Sequence, residues 1–173
     1  MSGDDDFDAF ATAAWPRLRR SAYLMTYDDH LADDLTQTAL ERTYAHWGRV
    51  RRQDALAYAR RTLVNLNIDR LRRRRGVVEV SDAALATVAA GYMTVGHETD
   101  DRDLLVRLLA GLTERERRVV VLRHYFDLSE AQTAAELGVA PGTVKSTLSR
   151  ALAKLRVTEA EGRDEPPTQR KEP

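Results

Sequence analysis

The side chains with the most chemistry to offer lie between residues 141 and 154. Gly142, Lys145, Ser146 and Ser149 recur at steps of three and four, with Thr143, Arg150 and Lys154 beside them. Residues so spaced share one side of a helix. Short hydroxyls there suit base edges, and long cationic side chains suit phosphate oxygens. Val144, Leu148, Ala151 and Leu155 fall on the opposite side, which reads as the packed one. Just upstream, Ser129 and Gln132 have capping-box spacing, and Gly138 supplies a sharp turn before Pro141. Free N–H groups at the two helix starts, near Ser129 and Thr143, can hold backbone phosphates. The chemistry implied is recognition of a DNA major groove by a helix-turn-helix. A plain solvated hairpin explains the caps, but not the basic helix that follows the turn.

A second basic set lies far upstream. Between Arg49 and Arg75 there are ten arginines against only Asp54 and Asp69. Arg61, Asn65, Asp69 and Arg72 follow one another on one side of a helix, with Arg70 and Arg73 adjoining. Asn and Asp exchange hydrogen bonds with base edges or orient an arginine, and arginines hold phosphates. The run Arg72 to Arg75, taken alone, is equally a solvated helix C-terminus. Trp47, Val50 and Tyr58 lie near the preceding loop, where an aromatic can receive an unstacked base. Trp47 serves equally well as a core residue. A third set is acidic: Asp33 and Asp34, followed by Gln37 and Glu41 one turn apart. Early acids favour a helix start. The stripe fits either a protein-docking surface or a solvated face.

Covalent catalysis has no support. There is no Ser/His/Asp set, no glycine-rich phosphate loop and no metal spacing among His30, His46, His97 and His124. Glu114 and Glu116 are explained by helix capping and helix charge. The absence of cysteine excludes disulfides and thiolate metal sites. No enzyme activity and no cofactor are expected. Lys plus Arg and Asp plus Glu balance at 27 each, so net charge names no partner. That total hides a basic stretch at 49–75 and an acidic one at 28–41, where five acids meet no Lys or Arg. No apolar run approaches the ~20 residues of a spanning helix. The acidic N-terminus lacks a signal-peptide pattern. A soluble cytoplasmic protein without membrane contact is expected.

Periodicity predicts an all-α chain of two small helical domains joined by a flexible linker. Helices are expected over 7–26, over 31–47 with Gly48 ending it, and from a cap at Asp54 to about Arg75. Phe10, Ala14, Leu18 and Tyr23 face the core from the first helix. Leu31, Leu35, Ala39 and Tyr44 do so from the second, and Leu56, Ala59, Leu63 and Leu66 from the third. The first domain covers 1–75. An acidic linker, 76–102, could reach on the order of 80 Å when extended. The helix-turn-helix domain covers 103–157 and opens with a second capping box, Thr113 with Glu116. A polar tail, 158–173, is expected to be disordered.

Together these motifs resemble bacterial RNA polymerase sigma factors of the extracytoplasmic-function (ECF) type, over nearly all of residues 7 to 156. Asp33-Asp34-Leu35-Thr36-Gln37-Thr38 resembles that family's polymerase-docking motif. Val64 to Arg74 resembles its −10-reading helix. Leu112 to Arg117 and Gly142 to Ala151 resemble its −35-reading domain. The loop Trp47 to Arg52 is most similar to an actinobacterial, SigE-like subgroup. The resemblance implies that Asp33, Asp34, Leu35, Gln37 and Glu41 dock on the polymerase clamp. It implies −10 contacts by Trp47, Arg49, Arg51, Arg61, Asn65, Asp69, Arg70, Arg72 and Arg73, with a flipped base held near residues 47–53. It implies −35 contacts by Ser129, Gln132, Thr143, Lys145, Ser146, Ser149 and Arg150, on a domain that rests on the polymerase flap. Promoter DNA and core polymerase are the implied partners, and the family allows restraint by an anti-sigma factor. Three positions depart from the pattern. Ala140 replaces a frequent capping Ser or Thr, Tyr58 a frequent Trp, and Thr38 the usual docking Glu. The alternative function is a conventional helix-turn-helix regulator, which requires a ligand pocket in the upstream half.

Overall fold

A computed structural model describes residues 3–77, 106 and 108–163. The expected linker lies outside the described residues except for Gly76 and Val77, and so does the expected tail from residue 164. Every regular element among the described residues is helical.

Three helices build the N-terminal unit. Helix α1 (Gly3–Thr26) starts with Asp4, Asp5 and Asp6, whose charge complements the helix dipole. Pro16 lies within it. Tyr27, at φ 54°, turns the chain, and its N–H donates to the Tyr23 carbonyl at 2.7 Å. Asp28 then caps α2 (Asp29–Tyr44) by accepting from the Leu31 N–H at 3.0 Å. Helix α2 stops at Tyr44 with Ala45 as its C-cap, three residues before the end that Gly48 predicts. Arg52–Asp54 form a 3-10 turn that runs directly into α3 (Ala55–Val77). Asp54 therefore sits inside that turn instead of acting as an isolated cap. Helix α3 also passes through Gly76 instead of stopping there.

The expected core faces are filled by Ala14, Leu18, Ala22 and Met25 of α1, Leu35 and Ala39 of α2, and Ala59, Leu63 and Leu66 of α3. Tyr44 is the exception, at 49% exposed. Its ring packs on Phe7 at the surface and its hydroxyl donates to Asp4 at 2.8 Å.

The C-terminal unit begins, within the described residues, at 106 and 108. Its first full helix, α4 (Glu114–Val120), follows the Thr113 capping box, in which the Thr113 N–H donates to Glu116 at 2.9 Å. The helix then widens into one π turn, Val121–Tyr125, closed by the Phe126 N–H donating to the Val121 carbonyl at 3.2 Å. Helix α5 (Glu130–Leu137) has its own capping box, Ser129 with Gln132. Gly138 caps its C-terminus in the left-handed region, φ 64° and ψ 37°, as the glycine predicts. Helix α6 (Pro141–Arg163) extends six residues into the segment expected to be a disordered tail.

The two units are packed together. Leu109, Leu112, Val121, Leu122, Phe126 and Leu128 belong to the same apolar cluster as Leu18, Met25 and Leu63. A smaller cluster of Val119, Ala134 and Val144 holds the helix-turn-helix itself.

Candidate nucleic-acid and polymerase interfaces

Helix α6 separates its two sides as its sequence predicts. Val144 and Ala151 are fully buried, whereas Lys145, Ser146, Ser149 and Arg150 are exposed. Thr143 is half-buried at the first turn. The Arg150 Nε donates to the Ser146 carbonyl at 3.3 Å, and the residue is exposed. Ser129 and Gln132 are exposed at the start of α5, where each accepts from the other's backbone N–H at 3.1 and 2.8 Å. Both side chains act only as acceptors in this box, so the Ser129 hydroxyl and the Gln132 amide keep their donor protons. Ala140 supplies no side-chain cap; its carbonyl accepts from Thr143 at 2.9 Å.

Helix α3 presents a second face. Arg61, Asn65, Asp69, Arg72 and Arg73 are all exposed there, and Arg49 and Arg51 are exposed on the loop before it. Two residues grouped with them by sequence lie elsewhere. Trp47 is 6% exposed and packs against Phe7 and Phe10, with ring centroids 5.1 Å away in each case. Arg52 covers its outer face at 4.0 Å. The indole is thus part of the core. Arg70 turns inward to the Asn67 amide oxygen at 3.2 Å and Glu114 at 3.9 Å. Burial pushes its pKa down, against the pull of Glu114.

The acidic set on α2 is also divided. Leu35 is 7% exposed and is a core residue. Arg19 of α1 donates to Asp33 at 2.5 Å and Asp29 at 2.7 Å. Those two bonds, Asp33 first, raise the pKa of Arg19. Asp33 is therefore held by its own chain. Asp34, Gln37 and Glu41 stay exposed, with Gln37 donating to Glu41 at 3.0 Å.

Sequence reasoning missed the charged residues between the two units. Arg60 and Glu136, 76 positions apart, form a fork-shaped ion pair with side chains 11% and 3% exposed. Arg117, 4% exposed, donates to the Met25 carbonyl at 3.3 Å and lies over the Tyr27 ring at 4.1 Å. Burial lowers the pKa of Arg117 and raises that of Tyr27. No local pattern signals such pairs, because each partner lies on a separate helix of the other unit.

Two DNA-suited helices and one acidic protein-suited face define a DNA-reading subunit of a larger machine. Family models agree with both halves: Sigma-70 region 2 matches residues 10–77 and Sigma-70, region 4 matches residues 102–155. The RNA polymerase sigma-E factor of Streptomyces avermitilis is 42% identical over 160 residues, which cover 92% of this chain and 87% of that protein. The Streptomyces coelicolor sigma-E factor is 41% identical, with 87% and 84% covered. The ECF RNA polymerase sigma factor SigL of Mycobacterium tuberculosis is 33% identical, with 88% and 85% covered. The sigma factor RpoE of Bartonella quintana, solved with the anti-sigma factor NepR, shares the fold at TM-score 0.68 and 23% identity, with 92% and 99% covered.

The chain belongs to the bacterial sigma-70 family, in its extracytoplasmic-function branch, and its relatives include actinobacterial sigma-E factors. It binds core RNA polymerase and directs promoter-specific transcription initiation at −10 and −35 elements. A conventional regulator does not fit, because the upstream half is itself a sigma region. Among the described residues no helix is long and apolar enough to cross a membrane.

Proposed function

We propose a division of labour in which residues 1–75 dock on the polymerase clamp and read the −10 element, residues 103–157 read the −35 element, and residues 76–102 connect them. The observation that carries it is the two-sided α6, with Lys145, Ser146, Ser149 and Arg150 outward over buried Val144 and Ala151. A helix placed in the major groove needs this division: an apolar anchor behind and donors in front. Thr143, Ser129 and Gln132 join the −35 contacts through phosphates. Arg49, Arg51, Arg61, Asn65, Asp69, Arg72 and Arg73 make the −10 contacts. Trp47 supports their loop from within, and Asp34, Gln37 and Glu41 make the clamp contact.

In this reading the chain has no catalysis of its own and works in the cytoplasm beside core polymerase. An anti-sigma factor is included among its partners, as it is for the Bartonella protein of the same fold. The test is transcription in vitro with core enzyme on genomic DNA, followed by sequencing of the transcripts. Discrete start sites that share upstream elements are expected. Equal transcription from promoters with matched and scrambled −35 elements would remove the −35 role. Asp34→Ala combined with Gln37→Ala should weaken co-purification with core polymerase while helicity is retained. Undiminished co-purification sinks the docking surface.

A further inference from the structure

We infer that Lys154 is a positioning residue for −35 recognition: bound to Glu116, it fixes how the reading half of α6 is presented to the groove, and it makes no phosphate contact of its own. The inference rests on the −35 reading above and names a further residue on which the specificity of that site depends.

By spacing, Lys154 belongs with the cationic side chains of the DNA-suited side, one turn after Arg150. Its ammonium is engaged elsewhere. Lys154 Nζ donates to Glu116 Oε2 at 2.8 Å, from α6 back to the first turn of α4, 38 positions away in the chain. The same oxygen accepts from the Thr113 N–H at 2.9 Å and from the Thr113 hydroxyl at 3.0 Å. One carboxylate oxygen thus ties the start of α4 to the second half of α6. The Glu116 side chain is 7% exposed and that of Lys154 is 46% exposed. An ordinary surface pair is weak because two mobile side chains must be ordered to form it. Here the capping box already holds the acceptor still, so pairing orders the lysine alone.

The packing behind the reading residues is small and apolar. Val119, Ala134 and Val144 form it, with Leu137 and Leu148 beside them. Apolar burial is non-directional. It sets how closely α6 lies on its neighbours and defines the rotation of the helix about its axis less sharply. A charge-assisted hydrogen bond is short and directional, and it supplies that constraint about 14 Å along the axis from Lys145. A rotation of ~20° at a side-chain radius near ~6 Å displaces a contacting atom by about 2 Å. A hydrogen bond to a base edge tolerates a spread of only about 0.5 Å. Long cationic side chains reaching phosphates absorb the larger displacement, so loss of the tether costs discrimination between sequences before it costs affinity.

The experiment is titration of promoter duplexes with matched and scrambled −35 elements by the full chain bound to core polymerase, repeated over a series of salt concentrations. Lys154→Met keeps the aliphatic stem and removes the donor. It should lower the matched-to-scrambled ratio about 10-fold, the value of one good base contact, and leave the slope of log K against log salt unchanged. Equal weakening on both duplexes with a slope smaller by about 1 would make Lys154 a phosphate ligand and overturns the inference. Equal weakening with an unchanged slope is a general structural loss and overturns it too. In the Glu116→Gln background, Lys154→Met should cost much less of the ratio than in the native chain, because the two residues act together. The same cost in both backgrounds sinks the tether. Helicity is followed throughout, and if Lys154→Met loses it, Lys154→Ala decides by the same readings. The unaltered chain tests the −35 reading separately: a matched-to-scrambled ratio of one there condemns that reading, whereas a native ratio that persists in Lys154→Met condemns the tether alone.

Discussion

Glu116 shows how one carboxylate does two jobs. Burial pushes its pKa up, but the Lys154 ammonium at 2.8 Å and the Thr113 N–H and hydroxyl outweigh that and hold it below 4.5. A folded-state pKa below the unfolded one stabilises the fold above the ordinary carboxylate range and loses that contribution as pH falls through it. Unfolding midpoints in urea should therefore decline below pH 4.5 more steeply for the native chain than for Glu116→Gln, in which the capping box survives and the charge is gone. On α6, Lys145→Ala or Arg150→Ala should weaken −35 binding by about 1–3 kcal/mol if a base edge is touched, as measured by titration against matched and scrambled duplexes. Leu35 belongs to a different class of residue from its acidic neighbours. Leu35→Ala should cost about 2–5 kcal/mol of fold stability through the cavity it leaves, whereas Asp34→Ala should leave the unfolding midpoint almost unchanged. Equal midpoints for the two would return Leu35 to the docking surface.

At the scale of elements, what was legible in the sequence was what is local. Both capping boxes, the Gly138 turn and the two sides of α3 and α6 depend on residues three or four apart, and they fold as their spacing predicts. Gly138 stands at φ 64° with nothing within 4 Å of an added Cβ. Gly138→Ala should therefore cost about 1–2 kcal/mol of backbone strain alone, with no steric clash, and thermal unfolding of the variant will show it. Helix ends were less legible. Asp28 starts α2 earlier than its apolar pattern suggests, and the cap at Ala45 ends it before Gly48. For Trp47 and Leu35 the sequence supports both a core and a surface role, and only their neighbours in space show that both side chains are buried. Arg19–Asp33 and Arg60–Glu136 were invisible for the same reason, since no rule of spacing joins residues on separate helices.

At the scale of the whole molecule, one apolar cluster runs through both units, which should make them unfold as one body. Both tryptophans, Trp15 and Trp47, lie in the N-terminal unit, so their fluorescence reports on that unit while circular dichroism reports on every helix. In the intact chain the two signals should melt together. With Arg60→Ala the fluorescence and dichroism midpoints should separate, and coincident midpoints there would mean that the apolar contacts alone couple the halves. The π turn bears on this coupling. It fits one residue more into the helical path from Val121 to Tyr125 than an α-helix would. A chain lacking one residue there would tighten to ordinary winding and swing everything after it by about 100°. The Phe126 ring would leave Arg17 and Arg60, each 5.2 Å from its centre, and α6 would be carried round with it. Shortening this segment by a single position is therefore a more drastic edit than most substitutions, because it re-aims half of the protein while every side chain keeps its identity.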